Sequence, residues 1–142
     1  GLPRITADAA QMRQVFQNLI SNGLKFRRED VPPEINITAM ERPAAARADG
    51  GAAMVEITVC DNGIGFDEKY ADRIFSPFQR LHGRGEYEGT GMGLAICRRI
   101  VERHEGLISV LSEPDKGTTF VVRLPVYQPK EVEEALAEEK VP

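Results

Sequence analysis

Met12, Val15, Phe16, Leu19, Ile20 and Leu24 recur at helical spacing. They predict a helix that Asp8 opens, with Gln11 three residues on in the manner of a capping box, running to about Arg28. Pro32 and Pro33 stop it. Ahead of it, Leu2 to Thr6 reads as a short extended piece. Glu34 to Met40 and Met54 to Cys60 each alternate apolar with polar, the period of a half-buried strand. The Ala-, Gly-, Pro- and Arg-rich stretch 43–53 between them is a long loop, so the two strands form a hairpin. Glu68 to Phe75 reads as a short helix, and Ser76 to Gly89 has no clear period. Thr90 or Gly91 opens a second long helix with Leu94, Cys97, Val101 and His104 on one stripe, and Gly106 is its C-cap. Leu107–Leu111 and Thr118–Leu124 are strands joined by a Pro-Asp-Lys-Gly turn. The expected core is Met12, Phe16, Leu19, Ile20, Ile57, Val59, Leu94, Val101 and Phe120.

With 142 residues, 42% of them hydrophobic and 28% charged, the chain has the make-up of one globular domain. No apolar run reaches the ~20 residues of a membrane helix, and no secretory signal opens the sequence. The net charge is −4, and residues 130–140 hold five Glu and two Lys, so the body is close to neutral. That balance excludes the basic footprint of a nucleic-acid binder. Cys60 and Cys97 read as small buried hydrophobes in a reducing, cytoplasmic setting. The expected division is a domain over 1–125 and an acidic tail over 126–142, at best a marginal helix.

Four constellations carry candidate chemistry. Asn18, Asn22 and Lys25 share one face of the first helix. Two carboxamides and an ammonium suit a hydrated magnesium ion and a phosphate; a solvated face is the plain alternative. Asp61-Asn62-Gly63-Ile64-Gly65 follows a strand, where a carboxylate can accept from an exocyclic amine; a simple turn is the rival. Phe75-Ser76-Pro77-Phe78-Gln79-Arg80 pairs two aromatics with cations that extend to Arg84. Either they pin a lid, or they are core rings beside solvated arginines. Gly89-Thr90-Gly91-Met92-Gly93-Leu94 opens a helix, where bare N–H groups cradle phosphate; a flexible joint is the alternative. The chain has no P-loop signature, no dinucleotide fingerprint and no His-Arg-Asp or Asp-Phe-Gly of eukaryotic protein kinases.

Taken in order, N-x-x-x-N-x-x-K, D-x-G-x-G, F-x-P-F and G-x-G-x-G resemble the catalytic and ATP-binding domain of bacterial sensor histidine kinases. The resemblance runs from about residue 2 to Pro125. The stretch FQRLHGRGEYEGTGMGLAICRRIVERHEG is similar to the PAS- and phytochrome-linked kind. The wider family includes gyrase, mismatch-repair and heat-shock-chaperone ATPases. The resemblance implies an α/β sandwich of the Bergerat type, a mixed, mostly antiparallel sheet with helices packed on one face.

It also implies roles. Asn22 ligates Mg2+ with Asn18 in support, Lys25 contacts phosphate and Phe26 packs near adenine. Asp61 takes the adenine amino group, and Gly63 and Gly65 shape the pocket. Residues from Asp67 to Gly89 form an ATP lid, with Phe78 at one end and Arg80 as its phosphate contact. Gly89, Thr90, Gly91, Gly93 and Leu94 line the triphosphate, and Thr118 or Thr119 reaches the base through water. The implied cofactors are ATP and Mg2+. The implied partners are a histidine-bearing dimerisation domain and a response-regulator receiver domain, with no nucleic acid and no direct membrane contact. Neither His82 nor His104 has the setting of a phosphoacceptor, so the chain reads as an isolated, monomeric module that does not autophosphorylate alone.

Two departures stand out. Gly23 sits where the family usually has Ala. Asn18 sits where hydrolysing relatives carry a Glu, and a carboxamide is no general base. The competing readings are a conformational ATPase of the same fold, an interaction module without catalysis, and a serine kinase of the anti-sigma type.

Overall fold

The computed structural model describes residues 3–43, 53–76 and 93–126. Helix α1 spans Ala9–Lys25, and Asp8 is its N-cap, accepting the Gln11 backbone N–H at 2.9 Å. It ends short of Arg28. The Phe26 N–H still reaches the Asn22 carbonyl, but Phe26 has left helical geometry (φ −96°, ψ 33°) and its own carbonyl accepts from the Ile64 N–H at 2.9 Å. The glycine turn after Asp61 therefore closes the helix. Strands β1 (Ile35–Arg42) and β2 (Met54–Asp61) form the expected hairpin, with Ile37 opposite Val59. Glu68–Tyr70 and Arg73–Phe75 are single 3-10 turns rather than one helix. Helix α2 (Gly93–Arg103) leads to β3 (Leu107–Glu113) and β4 (Gly117–Pro125).

The four strands form one sheet in the order β1-β2-β4-β3. Every pairing among the described residues is antiparallel, in keeping with the mostly antiparallel sheet that was expected. In the piece before α1, the Thr6 N–H bonds the Val126 carbonyl at 2.8 Å.

Strand parity splits the sheet. Val59, Ile108, Val110, Phe120, Val122 and Leu124 are buried under the two helices with Val15, Leu19, Cys97, Ile100 and Val101; Val55, on the same face, is buried as well. Met12, Phe16, Ile57 and Leu94 of the expected core pack half-buried against it. Cys97 is fully buried as expected, whereas Cys60 is half-buried on the far sheet face. That face leaves Met40, Leu107 and Leu111 exposed. No helix among the described residues is long and apolar enough to cross a membrane.

Helix α2 ends in a Schellman motif. The Gly106 N–H bonds the Val101 carbonyl and the Glu105 N–H bonds the Glu102 carbonyl. The left-handed residue is Glu105 (φ 59°), not Gly106. Gly106 is needed for space, because a Cβ there would overlap the Arg123 carbonyl and meet Leu124 Cδ2 at 2.9 Å.

His104, buried, closes the other end of the helix pair. Its Nε2 lies 3.1 Å from the Asp8 N–H and its Nδ1 lies 2.8 Å from the Ile100 carbonyl. A neutral ring with the proton assigned to Nδ1 satisfies both. His104→Leu keeps the volume but strands a backbone donor beneath α1. The expected cost is about 1–3 kcal/mol, read as a Tm several degrees lower.

Candidate functional site

Asp61 is the last residue of β2, and its Oδ1 accepts two backbone N–H groups, from Gly63 at 2.9 Å and from Thr118 at 3.2 Å. No hydrogen bond to Oδ2 is present among the described residues. Burial pushes the carboxyl pKa up from its ordinary value, and the two N–H donors pull part of the way back. The carboxylate is thus fixed in orientation with one oxygen left for a ligand donor.

Three contacts bring the C-terminal end of α1 to this carboxylate. Buried Gly23 packs there, and a Cβ on it would lie 3.3 Å from Asp61 Cβ and 2.9 Å from the Ile35 side chain. Gly63 has no room for a Cβ between the Phe26 carbonyl and Asp61 Oδ1. The Ile64 N–H bond to Phe26 completes the junction. Asn22, Lys25 and Phe26, in the last turn of α1 and just past it, are half-buried, with the Lys25 ammonium 5.9 Å from the Phe26 ring centre.

Gly65 serves a different purpose. Its φ is +63°, and a Cβ would overlap the backbone of Glu113 and Gly117. It lets the turn lie directly on the β3–β4 hairpin, where the Asp115 N–H bonds the Ile64 carbonyl at 2.7 Å.

The helix pair forms the other wall. Asn18 Nδ2 donates to the Gly93 carbonyl at 3.3 Å, tying α1 to the start of α2. One turn on, the Cys97 thiol donates to the Val15 carbonyl at 3.6 Å, and burial pushes its pKa up to about 11. It is an inert core group. A Cβ on Gly93 would make ordinary contact with the Asn18 side chain, at 3.9 Å, and meet nothing nearer among the described residues. Leu94 packs half-buried against the core.

Thr119 is not at this site. Parity puts it on the far face of the sheet, where its Oγ1 donates to Cys60 Sγ at 3.2 Å. Thr118 is the residue across from Asp61, contributing its N–H and a buried hydroxyl. Phe78, Arg80, Gly89, Thr90 and Gly91 lie outside the described residues. Phe75 is a buried core ring, edge-on to Phe120 at 6.2 Å between centres.

Sequence reading passed over three supports. Asn62 clamps residues 32–34, donating to the Pro32 carbonyl at 3.0 Å and accepting from the Glu34 N–H at 2.9 Å. Arg28 Nε donates to the Asn62 carbonyl at 3.0 Å. The Ser112 hydroxyl accepts the Phe66 N–H at 3.0 Å, lies 2.9 Å from Thr118 Oγ1, and donates to the Gly117 carbonyl at 3.0 Å. The one signal for Asn62 is its type, because Asn pairs with neighbouring backbone.

Among the described residues no three His, Cys, Asp or Glu side chains converge as a metal cage. The donor set fits magnesium in another way. One neutral carboxamide oxygen, from half-buried Asn22, suits an ion that keeps several waters and takes its remaining ligands from phosphate.

The class is that of a helix pair laid over one face of an antiparallel sheet, with a backbone-locked carboxylate where a strand ends against the first helix. Residues 7–128 match the family described as histidine kinase-, DNA gyrase B-, and HSP90-like ATPases, and the chain belongs to that family.

Within it, the chain is 47% identical over 129 residues to cyanobacterial phytochrome A of Nostoc sp., covering 88% of this chain and 15% of that protein. It is 41% identical to the adaptive-response sensory kinase SasA of Prochlorococcus marinus, covering 89% of this chain and 32% of the relative. The chain therefore spans less than a third of the length of these relatives. Among solved structures, the catalytic domain of histidine kinase ThkA superposes with a TM-score of 0.68 at 29% identity, covering 89% of this chain and 73% of that one. Full-length ShkA in complex with AMPPNP gives 0.68 at 31% identity, covering 87% and 23%. The fold is that of histidine-kinase catalytic domains.

Proposed function

We propose that this domain binds Mg-ATP and transfers the γ-phosphate to a histidine on a separate dimerisation domain, from which a response-regulator receiver domain takes it. The observation that supports this most is the locked Asp61 carboxylate set against the Asn22–Lys25 end of α1, in a chain whose family and relatives are those above. Asp61 Oδ2 accepts the adenine amine, Phe26 flanks the base, and Gly63 and Gly65 set the floor of the pocket. Asn22 holds magnesium and Lys25 neutralises phosphate. Magnesium, when bound, spreads the charge of the transferring phosphoryl group. Positioning and charge neutralisation are most of what such a transfer needs. Arg80 is assigned to the same task. A cytoplasmic setting, where ATP is held, goes with this reading.

A conformational ATPase is the second reading, and Asn18 weighs against it. Its carboxamide cannot take a proton from water, and its amide is engaged with the Gly93 carbonyl. Asn18→Ala is expected to leave background ATP hydrolysis as low as in the parent chain, checked by phosphate release. A large loss of rate would show that Asn18 takes part in hydrolysis. The transfer itself is tested by mixing the chain and labelled ATP with a dimerisation domain from a SasA-type relative. Acid-labile label on that domain is expected. Steady phosphate release without label transfer would favour the ATPase.

A further inference from the structure

Asp61, Thr118 and Ser112 stand in one row across β2, β4 and β3. Residues paired in this way share a sheet face, with Cβ atoms about 4.5–5.5 Å apart. Three hydrogen bonds meet at the Ser112 hydroxyl. The Phe66 N–H lies 3.0 Å away, the Gly117 carbonyl 3.0 Å and Thr118 Oγ1 2.9 Å. Ser112 is 5% exposed and Thr118 8%, so neither hydroxyl has bulk water as a ready partner. The Ser112 backbone N–H is taken separately, by the Glu68 carboxylate at 3.1 Å.

A count of protons fixes the direction of each bond. A serine hydroxyl has one proton and two lone pairs. The Phe66 N–H can only donate and the Gly117 carbonyl can only accept. The Ser112 proton therefore goes to Gly117, and the Thr118 proton has to come to Ser112. That is the one arrangement that makes all three bonds, and it leaves Ser112 saturated. Thr118 has then spent its proton, and its Oγ1 meets any further partner as an acceptor alone.

We propose that Ser112 sets the base specificity of the Asp61 site, leaving it acceptors alone, so that it takes a 6-aminopurine and disfavours a 6-ketopurine. The inference rests on the nucleotide reading above. Ionised Asp61 presents Oδ2, a pure acceptor, and Thr118 adds a second on the adjacent strand. Acceptors pair with an exocyclic amine, whereas a keto oxygen meets only lone pairs. A water shared by the two side chains obeys the same rule. It must give one proton to each, and so can only accept from the base. Ser112, saturated and buried, has nothing left to offer a ligand. It is a positioning residue that acts through Thr118.

ADP and IDP, whose bases carry an amine and a keto oxygen at the 6-position, test this by calorimetric titration with magnesium. The parent chain is expected to prefer ADP. Ser112→Ala frees the Thr118 proton for a keto oxygen. The preference is then expected to shrink by about two- to tenfold, the worth of one neutral hydrogen bond. Ser112→Thr restores the hydroxyl and is expected to restore the preference. On a Thr118→Val background, Ser112→Ala is expected to change the preference no further. A general loosening of the fold, such as stranding the Phe66 N–H brings, lowers both affinities together and leaves their ratio alone. Melting curves show which variants are folded at the titration temperature. Where Ser112→Ala is not, Thr118→Val decides, because removing the acceptor is expected to shrink the preference as well. An undiminished preference in the folded variant would overturn the proposal, and so would an equal effect of Ser112→Ala with Val at 118. A parent chain that binds ADP and IDP alike overturns the specificity and leaves nucleotide binding standing. One that binds neither overturns both.

Discussion

Asp61→Asn is expected to weaken ADP binding by about ten- to a hundredfold or more, while the Tm at neutral pH stays level or rises. The loss of affinity follows from orientation. The Gly63 and Thr118 N–H groups hold one side-chain oxygen. An Asn must keep its carbonyl there and so presents its NH2 to the adenine amine, setting donor against donor. Forfeiting a charge-assisted bond of about 1.5–3 kcal/mol gives the stated range before that repulsion is added. GDP, whose O6 is an acceptor, is expected to lose less.

The stability half follows from the pKa direction. Burial raises the Asp61 pKa in the folded state. A raised carboxyl contributes stability below its unfolded pKa and loses it as the pH climbs through the folded one. At neutral pH the ionised group is therefore a cost that Asn removes. Calorimetric titration with ADP, with and without magnesium, and melting curves from acid to neutral pH check both halves. In the parent chain, ADP affinity should fall as the pH drops, beginning above the ordinary Asp range. A variant that melts lower at pH 7 would show that the two N–H bonds outweigh desolvation.

Gly65→Ala is expected to be the most destabilising single methyl in the turn, by about 3 kcal/mol or more. A left-handed φ costs an L-residue about 1–2 kcal/mol. The added Cβ would also overlap the Glu113 carbonyl oxygen, so the β3–β4 hairpin has to move away. Gly93→Ala, whose Cβ would make only ordinary contact with Asn18 among the described residues, is expected to leave the Tm nearly unchanged and to show itself in nucleotide affinity instead. Thermal unfolding of the two variants side by side separates a glycine that the fold requires from one reserved for a ligand. Equal melting temperatures would refute the distinction.

What could be read in advance followed from period and pairing chemistry. The alternation of Met54–Cys60 and the stripe of α1 were clear because each element buries one face. The Asp8 cap was clear because its side chain bonds three residues away. The misreadings share one cause, in that each depended on a partner distant in sequence. Thr118 and Thr119 are neighbours of one type, and only the register with Asp61 decides which faces the site. Gly106 looked like the left-handed cap, yet the need for glycine there comes from the Arg123 carbonyl of β4. Asn62 and Ser112 looked like ordinary turn and strand residues until the segments they hold were brought together.

The posts at Phe75 and Gly93 have a consequence for how this domain diversifies. Phe75 is held by its contact with Phe120, and Gly93 by the Asn18 amide. The chain therefore leaves the body and returns to it at two fixed points. Together they act as a socket: sequence can change between them while the places of departure and return stay the same.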